Sequence, residues 1–206
     1  YGSSGRKSGA GAGDQRRAAR RCLSSATSSR RPARSSTSTT MLSSPSRADR
    51  NLAAMGYTKH SFGHVTKVAE GAAEILTALG YDERTVELAR IAGFLHDIGN
   101  VVNRADHAQS GAIMAFQLLT GMGMPAKEIG YVVSAIGHHD EGTAFPVNAI
   151  AAAVILADKS DVRRSRVRIS LEAKNFDIHD RVNYAVEESS LTVQKEEGLI
   201  TLALRI

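Results

Sequence analysis

"AGFLHDIGN", residues 92–100, decides how the rest of the chain is read. Ala92, Phe94 and Leu95 continue an apolar helical face, His96 and Asp97 follow them directly, and Gly99 closes the stretch. Two ionisable groups therefore stand where a helix meets its core. A charge buried without a partner is strongly unfavourable. Something must compensate it, and a bound metal ion is one candidate.

Working outward, the helix that delivers the doublet is "DERTVELARIAGFLHDIG". It starts on Asp82, a good N-cap, and carries Leu88, Ile91, Ala92 and Leu95 on one face. Upstream, "HSFGHVTKVAEGAAEILTALG" places His64, Val65, Val68, Ala72, Ile75, Leu76 and Leu79 at helical spacing, and Gly80 ends it. Downstream, "DHAQSGAIMAFQLLTGMG" opens on Asp106 and "PAKEIGYVVSAIGHH" has Pro125 in its first turn. "PVNAIAAAVILADKSD" is almost wholly apolar, which predicts a central helix. "DIHDRVNYAVEESS" predicts a last helix, and "LTVQKEEGLITLALRI" alternates around a Glu-Glu-Gly turn, as a β-hairpin does. The expected fold is all-α, a compact helical bundle over residues 46–190 with a small C-terminal β-hairpin over 191–206. The chain stops inside that strand pattern, so the hairpin is read as truncated. No internal repeat is present.

At 206 residues the chain is long enough for one domain with a real core. Trp is absent and Cys22 is the only cysteine, which excludes an intrachain disulfide and a thiolate metal site. No apolar run is long enough to span a bilayer, so a soluble, cytoplasmic protein is expected and a membrane partner is not. The net charge of +5 is unevenly placed: residues 1–50 hold eleven Lys/Arg against Asp14 and Asp49, and residues 51–206 hold fifteen against nineteen acids. The basic character belongs to the leader, so nucleic acid is not an expected partner. Residues 1–45 are Ser-, Arg- and Gly-rich and cannot bury a core. They read as a transit peptide, which would make the location organellar, as an extraneous leader, or as a basic tail for an anionic partner. Met41 is a candidate start, and the leader is expected to be dispensable for folding and chemistry.

His64 lies in a first turn, His96 and Asp97 end a helix, His107 opens one, and His138 and His139 end another. Asp158 closes the apolar run "AAAVILAD". Helix ends are where the helices of a bundle can aim ligands at one point. Imidazole and carboxylate without thiolate suit Zn, Fe, Mn or Ni. Taken singly, each has a plainer reading: a histidine at a helix end is more often a cap, and His138–His139 could be a solvated terminus. The combination favours a metal, because buried aspartate is rare without a partner.

The order His64, then His96-Asp97, then Asp158 resembles the HD-domain metal-dependent phosphohydrolases. The likeness covers roughly residues 57–165: "HSFGHV" resembles the family's opening helix, "AGFLHDIGN" its central motif and "ILADKSD" its closing Asp motif. The HD-GYP group is similar only in part. Asn100 stands where its Lys would be, "HHDEG" replaces HHE, and "TAFP" replaces the Gly-Tyr-Pro region. The acidic pair that follows the doublet in (p)ppGpp hydrolases is absent.

The resemblance implies one or two divalent transition metals per chain (Mn, Fe, Zn, Ni or Co). His64, His96, Asp97 and Asp158 would form one site. His107 and His138, with His139 as a further candidate, would form a second, with Asp97 bridging. His60 could face the same site, whereas His179 is expected on the surface. The implied reaction is hydrolysis of a phosphate ester in a nucleotide or cyclic nucleotide, with Asp97 and Lys159 in catalytic roles. In "DKSDVRRSRVR", Lys159, Arg163, Arg164 and Arg166 could grip phosphate oxygens, against the plainer reading of a solvated segment. An ammonium cannot ligate a cation, so the role of Lys159 is expected to be separable from metal binding. Two other classes stay open, a di-iron HD-fold oxygenase acting on a small molecule and a non-catalytic nucleotide-binding HD domain. The expected partner is a small phosphorylated substrate, and a homo-oligomer is left open.

Overall fold

The computed structural model describes residues 62–167 and 178–206. The expectations for the leader and for His60 fall outside these residues.

Helix α1 spans Phe62–Ala78 and buries His64, Val65, Val68, Ala72, Ile75 and Leu76. It ends at Gly80, whose φ of 81° is one that a side chain would resist. There the Tyr81 N–H reaches Leu76 O and the Gly80 N–H reaches Thr77 O, each at 3.0 Å, closing a Schellman motif. Helix α2 spans Glu83–Leu95, and Asp82 Oδ1 accepts from the Thr85 N–H at 3.0 Å, as an N-cap should. The chain then passes through His96 and Asp97 into a 3-10 turn, Ile98–Val101.

Helix α3 is His107–Gly121, α4 is Ala126–Gly137 and α5 is Ala149–Ser160. Asn148 caps α5 by accepting from the Ala151 N–H at 2.8 Å. Asp106 precedes α3 as expected but makes no capping bond from its side chain. It sits at φ 55°, a left-handed position that aspartate tolerates better than most residues. Helix α6 is Ile178–Ala185, and strands β1 (Glu188–Gln194) and β2 (Leu199–Arg205) pair antiparallel, with Gln194 opposite Leu199. The structure corrects one boundary. "EESS" does not prolong the last helix, because Glu188, Ser189 and Ser190 already belong to β1. Tertiary contacts decide this: Ser189 Oγ donates to Ser160 O at 2.6 Å, and Leu191 and Val193 pack on the bundle core.

Helix α1 packs on α2 and α5, and α3 packs on α4. The facing surfaces use small buried residues: Ala69, Ala72 and Ala73 on α1, Ala89 and Ala92 on α2, Ala151, Ala153 and Ala157 on α5. Small side chains let helix axes approach, so residues at the helix ends are brought close as well. Gly99 does the same for the 3-10 turn and α3. A Cβ there would lie 2.0 Å from His107 O and 2.7 Å from the Gly111 nitrogen. Only glycine lets this turn lie on the first turn of α3, which sets Asp97 beside His107. Among the described residues, no helix is long and apolar enough to cross a membrane.

Candidate metal centre

Four buried histidines converge: His64 from α1, His96 from the end of α2, His107 from the start of α3 and His139 just past α4. In three of them the outward nitrogen meets a main-chain carbonyl. His96 Nδ1 is 2.7 Å from Gly93 O, His107 Nδ1 is 3.0 Å from Arg104 O, and His139 Nδ1 is 2.7 Å from Ile136 O. A carbonyl can only accept, so Nδ1 carries the proton in each, and a neutral ring then has its lone pair on Nε2. His64 follows the same logic through a carboxylate, its Nδ1 lying 2.8 Å from Asp161 Oδ2. All four rings are thus held from behind and aim Nε2 inward, the arrangement that orients histidine ligands of metals.

Two carboxylates complete the cluster. Asp97 Oδ2 lies 3.7 Å from His64 Nε2 and 3.4 Å from His96 Nε2. Its Oδ1 faces the other way, 3.4 Å from His107 Nε2 and 3.9 Å from His139 Nε2. Asp97 therefore stands between two halves of one cluster. Asp158 Oδ1 belongs to the first half, 3.2 Å from His64 Nε2 and 3.8 Å from His96 Nε2.

This donor set fits a metal ion. His96 Nε2 is buried and has no hydrogen-bond partner. His107 Nε2 and His139 Nε2 face each other at 3.1 Å, although both rings already donate from Nδ1. Two lone pairs so placed repel unless a proton or cation satisfies them. The ligand atoms of His64, His96 and Asp158 lie within 4.8 Å of one another, as do those of His96, Asp97 and His139, so each trio could hold a metal ion.

The protonation pattern agrees. Burial, reinforced by the neighbouring His96, pushes His139 down to about 4, so it is neutral at ordinary pH. Burial also lowers His107. His96 goes the other way: burial opposes its charge, but Asp97 and Asp158 outweigh it and raise its value. For Asp158, the upward push of burial is outweighed by His64, His96 and Lys159, and the carboxyl stays well below its usual range.

Residues 61–185 match the family model described as HD domain. The chain belongs to the HD domain family. It is also 28% identical, over 165 residues, to the uncharacterized protein MJ1020 of Methanocaldococcus jannaschii, with 70% of this chain and 62% of that protein covered. The chain thus spans about 62% of the length of that curated relative. No solved structure matches the chain.

Within this HD domain the structure sorts the expected residues. His64, His96, Asp97, His107, His139 and Asp158 come together. His138 does not join them: half-buried at the end of α4, its Nδ1 bonds to Ser134 O at 2.9 Å. Among the described residues it belongs to neither group of ligand atoms. Arg163 and Arg164 also turn elsewhere, Arg163 Nε donating to Asp161 Oδ1 at 2.7 Å and Arg164 Nε to Tyr184 O at 2.7 Å. Neither lines the cavity beside the cluster, whose cationic lining is Arg104, Lys159 and Arg166. Lys159 contacts one of these ligands, its Nζ lying 3.0 Å from Asp158 Oδ2 and 3.2 Å from Glu141 Oε1. His179 is exposed, as expected, and it also lines the same cavity from α6.

Three polar residues around the centre escaped the sequence reading. Asp161 is fully buried and backs His64. Asn100 is buried too, and its Nδ2 donates to Asp97 Oδ1 at 2.7 Å. Arg104 Nη1 approaches His107 Nε2 to 3.1 Å. A signal existed for Asp161, a second aspartate one helical turn after Asp158. Asn100 and Arg104 gave no comparable signal, because their partners are set by how the turn folds onto α3.

Proposed function

We propose that this HD domain is a metal-dependent phosphohydrolase that cleaves a phosphate ester of a nucleotide or cyclic nucleotide. The observation that carries the reading is the convergence of four inward Nε2 atoms and two carboxylates beside a cavity whose lining includes Arg104, Lys159 and Arg166 as well as carboxylates. HD domains bind divalent metals, and the family is mostly metal-dependent phosphohydrolases. His64, His96, Asp97 and Asp158 would hold one ion, and His107 and His139 would hold a second, sharing Asp97. An ion there supplies an activated water at neutral pH and neutralises charge on phosphate oxygens.

The chain's own groups supply the rest. The cavity, about 280 Å3, is at the small end for ligand pockets and suits a phosphate with part of its carrier. Arg166 lines the cavity while its Nη1 donates to Asp161 O at 2.9 Å, so it would add positive charge for a phosphate, and Lys159 adds a charge at the edge of the first half. His179, on the α6 wall, is the chain's remaining imidazole at the cavity and would be the group to pass a proton to the leaving oxygen. Ile178 and Val182, one turn apart on α6, give the apolar part of the substrate a surface.

The test is metal analysis of protein purified without chelator, followed by phosphomonoesters, phosphodiesters and nucleotides assayed on the same sample. Metal-dependent release of phosphate or of a nucleoside monophosphate is expected, and Asp97→Ala should abolish both metal and turnover. Two irons with a mixed-valence signal and no ester turnover would replace this reading with the oxygenase. Nucleotide binding without turnover in the metal-loaded protein would reduce it to a sensor.

A further inference from the structure

Arg104 lies between the 3-10 turn and α3 and holds His107 at both ring nitrogens. Its main-chain oxygen accepts from His107 Nδ1 at 3.0 Å, and its Nη1 donates to His107 Nε2 at 3.1 Å. The same Nη1 lies 4.0 Å from Asp97 Oδ1, and Nη2 lies 3.7 Å from Asp140 Oδ1. The guanidinium thus faces the groups that a second ion would need, the inner nitrogen of His107 and the outer oxygen of Asp97. A neutral imidazole nitrogen has one lone pair. It can accept the Arg104 N–H or ligate a metal, but not both.

We propose that Arg104 is the resident cation of the His107–His139 half, and that a second metal binds there only as the guanidinium swings out. This rests on the two-ion reading above. In the first half the neighbouring cation, Lys159, sits on the outer oxygen Asp158 Oδ2 at 3.0 Å, while Asp158 Oδ1 is the oxygen that faces the histidines. Among the described residues no guanidinium contact reaches Asp158, and Asp97 serves that half with its other oxygen. Loading is therefore sequential. The first ion enters the His64–His96–Asp158 half, and the second binds more weakly because it must displace a charge-assisted bond. Departure is feasible, because Arg104 is 29% exposed and already lines the cavity.

The experiment titrates the chelator-stripped chain with Zn2+ by calorimetry, comparing wild type with Arg104→Gln and with His107→Ala. Wild type should show a tight step and a weaker one. His107→Ala should lose the weaker step and keep the first. Arg104→Gln should tighten the second step by about tenfold or more, the scale on which partners of ligands act, and leave the first nearly unchanged. Should Arg104→Gln not fold, Arg104→Met keeps the packing of the stem without the charge and carries the same expectation. An unchanged second step in the charge-free variant, or two equal steps in wild type, overturns the proposal. If no Zn2+ binds in the first step to any of these proteins, the metal reading itself has failed, which is a different result.

Discussion

Replacing Asp161 by Asn tests how the first half of the centre is built. The carboxylate is 0% exposed, accepts from His64 Nδ1 at 2.8 Å and from Arg163 Nε at 2.7 Å, and pairs with Lys67 Nζ at 3.2 Å. Its pKa is lowered far below the usual carboxylate range: burial opposes ionisation, but His64 and Arg163 more than offset it. Asparagine keeps the shape, loses the charge, and must turn an NH2 toward one of these donors. Removing one partner of a buried pair costs about 3–5 kcal/mol. Arg163 and Lys67 are 30% and 44% exposed and can regain water, so the low end applies. At roughly 2–4 °C per kcal/mol, the melting temperature should fall by roughly 10 °C.

The more specific consequence is for metal. With the proton on His64 Nδ1 no longer held by a charge, metal affinity should fall by about 10- to 100-fold. The sign in pH is fixed. A depressed carboxyl stabilises the fold above its unfolded value of 3.8 and loses that contribution as pH falls below it. The stability gap between wild type and Asp161→Asn should therefore close in acid. Thermal melts across pH, with a metal titration near neutrality, read all three effects. A destabilised variant that binds metal as tightly as wild type would refute the argument that Asp161 orients His64. A gap that persists at low pH would refute the ionic account.

Gly99→Ala should cost about 3 kcal/mol, because the added Cβ meets backbone of α3 and cannot be absorbed by a rotamer change. It should weaken the second metal step more than the first, measured by melting and by two-step titration. Raising the pH should tighten the first metal step, because the proton on His96, whose value is raised, must leave before Nε2 can ligate. In metal-free protein the sign reverses: the stabilisation from protonated His96 is present at low pH and is lost as pH rises through its folded value. Melts with and without metal across mildly acidic to mildly basic pH should diverge, and parallel curves would count against this assignment. Lys159→Ala should lower metal affinity as well as kcat/KM, because Nζ holds Asp158 Oδ2. A loss of rate with unchanged metal affinity would return Lys159 to a purely substrate-binding role.

Much of this was written in local pattern. The 3.6-residue spacing of apolar side chains marks the five helices from Phe62 to Ser160, and the cap at Asp82 and the stop at Gly80 mark ends of two of them, because each depends on neighbours within one turn. "FLHDIG" with an upstream His and a downstream Asp likewise points to a metal centre, since ionisable residues after apolar runs need a partner wherever they fold. The chain by itself therefore determined the helical class, the hairpin and a set of candidate metal ligands. It did not determine which of two adjacent histidines turns inward. His138 and His139 lie about 100° apart around the helix end, and only the packing of α4 against its neighbours selects His139. Nor did it show Asp161 behind His64, 97 residues away, or Arg104 against His107, or His179 on the cavity wall. Those contacts arise where separate elements cross, and sequence periodicity gives the buried face of each helix but not which residues of another element that face meets.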